Sequence, residues 1–102
     1  MREPTVHLEF LPGLSQGLVP PGGGAVRLNV SLLPGETLGA VLSRLVGEGQ
    51  RIAETVFDVP SGKLRPQVQV VVNDRLVTAE RAVETVLEAG DRVAFVPVYA
   101  GG

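Results

Sequence analysis

Ala25 to Val46 reads AVRLNVSLLPGETLGAVLSRLV, and within this stretch the spacing of apolar residues changes character. Val26, Leu28, Val30 and Leu32 alternate with Arg27, Asn29 and Ser31, which is the period of a strand with one buried face. Pro34-Gly35 then makes a turn, and Thr37 is a suitable N-cap for a helix. Leu38, Val41, Leu42, Leu45 and Val46 fall at i, i+3, i+4, i+7 and i+8, a single stripe on that helix. Gly47 and Gly49 are the stop signals, and Ile52 to Phe57 adds a helical turn before the break at Pro60-Ser61-Gly62.

Upstream, Val6, Leu8 and Phe10 alternate with Thr5, His7 and Glu9, so Thr5 to Leu11 reads as a first strand. Pro12 to Gly24 holds five glycines and three prolines and is a loop, long for a hairpin connection. Downstream, Val68 to Val72 reads as a central strand partly covered on both faces, because Val71 interrupts a strict alternation. Asn73-Asp74 is a tight-turn signal into Arg75-Leu76-Val77. Gly90-Asp91 turns the chain into a last strand, Arg92 to Val96, which Pro97 terminates or places at an edge. The order strand, strand, helix, strand, short strand, strand predicts an α+β, β-grasp architecture, with a mixed sheet of four to five strands packed on one main helix.

Composition narrows the chemistry. A chain of 102 residues with 44% hydrophobic and 20% charged residues is sized and patterned for one folded domain. Nine Lys and Arg against eleven Asp and Glu, with no basic run, argue against nucleic acid as a partner. Cysteine is absent, which removes disulfides, thiolate nucleophiles and sulfur-liganded metals. There is no signal-peptide pattern and no apolar run of membrane-spanning length, so the chain reads as a soluble cytoplasmic protein.

Catalytic and metal sites find little support. His7 is the sole histidine and sits on the polar side of its strand, so neither a triad nor a metal cluster can be built around it. Asp58, Asp74, Glu80, Glu84, Glu88 and Asp91 are scattered over turns and helix faces, where solvation accounts for them. Gly22-Gly23-Gly24 leads into a strand and lacks the lysine of a phosphate-binding loop.

Several segments together resemble a known family. These are Gly35-Glu36-Thr37-Leu38 opening the helix, Gly62-Lys63-Leu64-Arg65-Pro66, Val70-Val71-Val72-Asn73, Gly90-Asp91, and the terminus Phe95-Val96-Pro97-Val98-Tyr99-Ala100-Gly101-Gly102. The chain is similar in these to the ubiquitin-like sulfur carriers of the MoaD and ThiS type, which include the small subunit of molybdopterin synthase. Two features differ from the molybdopterin type: Pro97 is followed by Val98 where a second proline is common, and Tyr99 stands where a small aliphatic residue is common. A single proline also suits carriers of cysteine biosynthesis.

The resemblance implies a β-grasp domain over 1–97 and a flexible tail over 98–102. It implies that Gly102, with Gly101, is the sulfur-carrying terminus, and that Pro97, Val98, Tyr99 and Ala100 form a partner-binding tail. Glycines there suit a narrow channel, because they lack side chains and tolerate either sign of φ. Val98 and Tyr99 have two readings, packing on the chain's own sheet edge or anchoring in a partner. By the family's route, a ubiquitin-activating-like adenylyltransferase consumes ATP to adenylate the terminal carboxylate, and delivered sulfur then displaces AMP to leave a thiocarboxylate. The chain is then a carrier and not an enzyme, with no bound cofactor or metal. It serves a sulfur-accepting enzyme such as the large molybdopterin synthase subunit or a cysteine synthase. Molybdopterin synthesis is the leading expectation, with cysteine, thiamine or thiolated transfer RNA as alternatives in pathway. A lysine-conjugated protein modifier and a β-grasp interaction domain are the alternatives in class.

Overall fold

A computed structural model describes residues 3–12 and 24–98. Strands β1, Thr5–Phe10, and β2, Val26–Ser31, pair antiparallel with Val6 opposite Val30 and Leu8 opposite Leu28. Most of the glycine-rich connection expected between them, residues 13–23, lies outside the described residues. Helix α1, Leu38–Gly47, begins where the Thr37 hydroxyl accepts a hydrogen bond from the Ala40 amide, as its N-cap position requires. It buries Leu38, Val41, Leu42 and Leu45, the expected stripe. Gly47 does not stop it. The helix includes Gly47, Glu48 caps it, and Gly49 with φ 88° takes the left-handed conformation that turns the chain away.

The single turn α2, Arg51–Glu54, buries Ile52 and Ala53. It begins a residue earlier than expected and does not reach Phe57, whose buried ring instead enters a small hairpin. In that hairpin β3, Phe57–Asp58, pairs with β4, Lys63–Leu64. Strands β5, Val68–Val72, and β6, Arg75–Val77, are joined by Asn73 and Asp74 at φ 49° and 69°, the doubly positive turn that matches strand twist. The Asn73 side chain donates to Asp91 Oδ1 at 3.0 Å and accepts from the Arg92 amide at 2.9 Å, fastening this turn to the start of the last strand.

Helix α3, Ala79–Glu84, follows, with Thr78 as N-cap accepting from the Arg81 amide. The sequence reading placed no element here. Of its residues only Ala82 is fully buried, with Ala79 and Val83 partly buried against the core; they fall at i, i+3 and i+4, but two small alanines in so short a helix make a weak signal. Strand β7, Arg92–Pro97, is the last element among the described residues.

The five-stranded sheet runs β2-β1-β7-β5-β6, with β1 and β7 parallel and the other pairs antiparallel. The middle strand is therefore β7. β5 is an interior strand, lying between β7 and the edge strand β6, and of the two outcomes expected of Pro97 the first holds: it ends β7 at its last residue. Proline is tolerated in a central strand because it stands at the strand's last position. One face of the sheet packs on α1 through Val6, Leu8, Phe10, Val70, Val93 and Phe95, all within 1% of complete burial. Phe10 and Phe95 stack across the parallel pair with ring centroids 4.8 Å apart.

Before α1, Glu36 is buried and fully partnered. Arg44 donates from Nε to Glu36 Oε2 at 3.0 Å, from Nη2 to Glu36 Oε1 at 2.9 Å, and from Nη2 to the Ser31 carbonyl at 2.7 Å. The Leu33 amide also donates to Glu36 Oε1, at 3.0 Å. The Arg44 hydrogen bonds, and after them the Leu33 amide, hold the Glu36 carboxyl below the ordinary carboxylate range, against the opposing effect of burial. This forked pair pins the end of β2 to the second turn of the helix.

Candidate functional site

The predicted working end is reached through β7, so the geometry of that strand's last residues decides how the tail leaves the domain. On one side β7 pairs with β1 in parallel, from the His7 amide to the Asp91 carbonyl at 2.9 Å up to the Leu11 amide to the Phe95 carbonyl at 3.0 Å. In a parallel ladder the next donor from β7 towards Leu11 belongs to residue 97, and proline has none. The parallel pairing stops there. On the other side β5 continues: Val68 stands opposite Pro97, and the Val98 amide donates to the Gln67 carbonyl at 2.7 Å. Pro97 thus turns its missing N–H away from β5 and towards the side where β1 has ended. Tyr99, Ala100, Gly101 and Gly102 lie outside the described residues.

The face of the sheet opposite α1 is uncovered among the described residues. Alternation puts Ala94 and Val96 of β7 on it, since Val93 and Phe95 point into the core. Val71 of β5 stands opposite Ala94, and Leu76 of β6, 67% exposed, stands opposite Val71, while the exposed Gln69 faces Val96. Val98, 38% exposed, extends this apolar strip in the direction of the chain end. Across β1 and β2 the same face becomes polar. Arg27 Nε donates to Glu9 Oε2 at 2.8 Å and His7 Nδ1 lies 2.7 Å from Asn29 Oδ1, and at the start of β7 Arg92 Nη2 donates to Asp74 Oδ2 of the β5–β6 turn at 3.1 Å. These groups border a shallow concavity of about 320 Å³ that His7, Glu9, Arg27 and Arg92 share with Ala94.

Of the predicted site residues, Pro97 and Val98 are placed at the mouth of the sheet, and the other four are not described. His7 is exposed on its strand, as expected. What sequence reasoning missed is the apolar strip. Val71, Leu76 and Ala94 come from three strands, and only Val71 carried a signal, as the residue breaking the alternation of its strand. Among the described residues no three His, Asp or Glu side chains gather as a metal site, and no helix is long and apolar enough to cross a membrane.

Comparison with known proteins bears on the family and the fold. The model of the ThiS family matches residues 26–102. The chain is 38% identical over 86 residues to the sulfur carrier protein CysO of Mycobacterium tuberculosis (strain ATCC 25618 / H37Rv), an overlap of 83% of this chain and 89% of that protein. Among solved structures, the crystal structure of Mycobacterium tuberculosis CysO, an antigen, matches with TM-score 0.59 and 31% identity over 92% of this chain and 99% of its own. The crystal structure of SAMP1 from Haloferax volcanii matches with TM-score 0.65, covering 96% and 99% of the two chains, and at 24% identity that likeness speaks for the fold alone. The β-grasp expectation is thereby met: a mixed five-stranded sheet on one main helix. By both sequence and fold, this chain belongs to the ThiS family of ubiquitin-like sulfur carriers.

Proposed function

We propose that this carrier is adenylated at Gly102, converted there to a thiocarboxylate, and donates its sulfur to an enzyme that makes cysteine. The observation that carries the pathway is the 38% identity to CysO over 83% of the chain. A cysteine synthase is therefore preferred as the acceptor over the large molybdopterin synthase subunit.

In the first step a terminal carboxylate oxygen attacks the α-phosphate of ATP on the activating adenylyltransferase, and pyrophosphate leaves. A sulfur nucleophile then adds to the acyl carbon and AMP departs with the bonding electron pair. The chain contributes a substrate group rather than catalytic side chains. Residues 98–102 act as the tail that enters the partner's channel, with Gly101 and Gly102 at its tip and Pro97, Val98, Tyr99 and Ala100 as its contacts. Ordering a five-residue tail costs about 1–2 kcal/mol per residue, so tail contacts alone bind weakly and a folded surface must share the work. The strip of Leu76, Val71, Ala94 and Val96 supplies that surface, since it runs towards the tail.

The test is adenylation by the cognate activating enzyme, followed by intact-mass spectrometry in the presence of a sulfur source. Wild type should gain one oxygen-to-sulfur exchange, while deleting Gly101 and Gly102, or extending the chain past Gly102, should abolish it without moving the thermal melt. Undiminished activation of either variant overturns the terminal assignment. Sulfur transfer to a molybdopterin synthase large subunit but not to a cysteine synthase overturns the pathway.

A further inference from the structure

We propose that in the free carrier the Tyr99 ring seats in the groove between β4 and α3, parking the tail on its own domain until a partner draws it off. The inference rests on the carrier reading above, in which residues 98–102 are the tail that a partner engages. Backbone pairing of the tail with the sheet runs out at Val98. Past the bond from the Val98 amide to the Gln67 carbonyl, antiparallel register would next bond residue 100 to Arg65. Both backbone groups of Arg65 are already committed: its amide donates to the Val56 carbonyl at 2.8 Å, and its carbonyl accepts from the Val68 amide at 3.1 Å. Any further hold of the domain on its tail must therefore come from a side chain, and among residues 99–102, Tyr-Ala-Gly-Gly, only Tyr99 has one of any size.

Alternation fixes the side to which that ring is directed. Val93 and Phe95 are buried against the helices, and Pro97 shares their parity. Carrying the strand on by one residue past Val98 puts Tyr99 on the same, helix-covered side. There β4 packs on α3, which in turn packs on α1, and between β4 and α3 lies a groove of about 120 Å³. Leu64, Ala79 and Val83 form its apolar wall, Leu64 buried and the other two partly buried, while the exposed Lys63 and Glu80 stand at its rim. A phenol matches such a site, with an apolar body for the wall and a hydroxyl at its tip. That hydroxyl can accept from the Lys63 ammonium or donate to the Glu80 carboxylate.

The tail is long enough and starts close enough. Val98 is bonded to Gln67, and the three residues from Gln67 to Leu64 span at most roughly 10 Å, a distance that the Arg65–Val68 turn shortens. Tyr99 is the first residue past Val98, so its ring reaches the groove without unpairing Val98. The tail is the occupant favoured over a second copy, because it is tethered beside the groove and a second copy is not. Parking has a consequence for activation. The fraction of carriers with Tyr99 in the groove does not present the tail, and apparent affinity for the activating enzyme falls by the fraction that does. The sulfur chemistry at Gly102 itself is unaffected.

Tyr99 is the only tyrosine and the chain has no tryptophan, so intrinsic fluorescence reports on this one ring. In the full-length chain a ring parked half the time or more should be quenched by acrylamide about twofold less than in the peptide Val98 to Gly102. Nuclear Overhauser cross-peaks should join the ring to the methyl groups of Leu64, Ala79 and Val83. Ala79→Glu puts a charge on the groove wall at the first position of α3, where a carboxylate suits the helix end. It should raise quenching to the level of the peptide and lower the KM of the activating enzyme for the carrier about twofold with kcat unchanged. Should that variant not fold, the wild-type cross-peaks decide. Wild-type quenching equal to the peptide's, cross-peaks to residues outside the groove, protection that grows with protein concentration, or a KM unmoved in folded Ala79→Glu each overturns this inference and leaves the carrier reading standing. Absence of pyrophosphate release from the wild type with ATP and the activating enzyme overturns the carrier reading and the parking role with it.

Discussion

Gly39 of α1 stands so close to Val83 of α3 that a Cβ built on it would lie 2.7 Å from Val83 Cγ1 and 3.1 Å from the Val83 carbonyl oxygen. The two helices meet backbone to side chain at this point, and the glycine is there for space, since α1 would otherwise favour alanine by about 1 kcal/mol. Gly39→Ala should destabilise the domain by about 1–3 kcal/mol despite the better helix propensity, as overpacking does. Urea denaturation of the variant decides it. Adding Val83→Ala should recover part of the loss and not all, because the carbonyl contact persists.

The Glu36–Arg44 pair ties stability to pH. Arg44 holds the Glu36 carboxyl below its ordinary value, so the unfolded chain takes up this proton before the folded one does. The contribution is fully present above the ordinary carboxylate pKa and is lost as pH falls through the lower, folded value. Glu36→Gln should cost about 2–3 kcal/mol at neutral pH, somewhat below the usual loss for a broken buried pair because Arg44 retains 26% of its exposure. Denaturation midpoints of wild type and variant should converge as the solution is acidified. A constant gap across the acid range would contradict the assignment.

Asp74 pays for its place in the β5–β6 turn. Its φ of 69° is one that an L side chain adopts at a cost near 1 kcal/mol, and its ion pair with Arg92 is highly exposed on both sides. Asp74→Gly should raise stability by about 0.5–1 kcal/mol, with the hairpin register preserved by Asn73. A thermal melt and amide exchange across Val72 and Arg75 test both statements.

Docking of the open face is testable apart from the tail. Leu76 is far in sequence from Gly102 and contributes little to the core, so Leu76→Asp should leave the melt unchanged and weaken binding to the activating enzyme about tenfold, equivalent to ~1.4 kcal/mol. The synthetic peptide Val98 to Gly102 should bind far less tightly than the whole protein. Equal affinity of peptide and protein in a calorimetric titration would remove the sheet face from the interaction.

Local pattern carried most of the elements. Alternation in Thr5–Phe10 and Val26–Ser31, the stripe from Leu38 to Leu45 and the Asn73-Asp74 turn each depend on residues adjacent in the chain, so each was readable without the fold. The family and its sulfur-carrier role were also legible, because they reside in short motifs spread along the chain. The tertiary structure decided that β7 is the central strand, since its parallel partner β1 begins more than eighty residues earlier and nothing local records that pairing. It decided that Pro97 stops one ladder and spares the other, which depends on which way a single missing N–H points. It placed Glu36 against Arg44, and it gathered Leu76, Val71, Ala94 and Val96 into one strip, because a side chain's face in a sheet is fixed by register with neighbouring strands and not by the residues beside it in sequence.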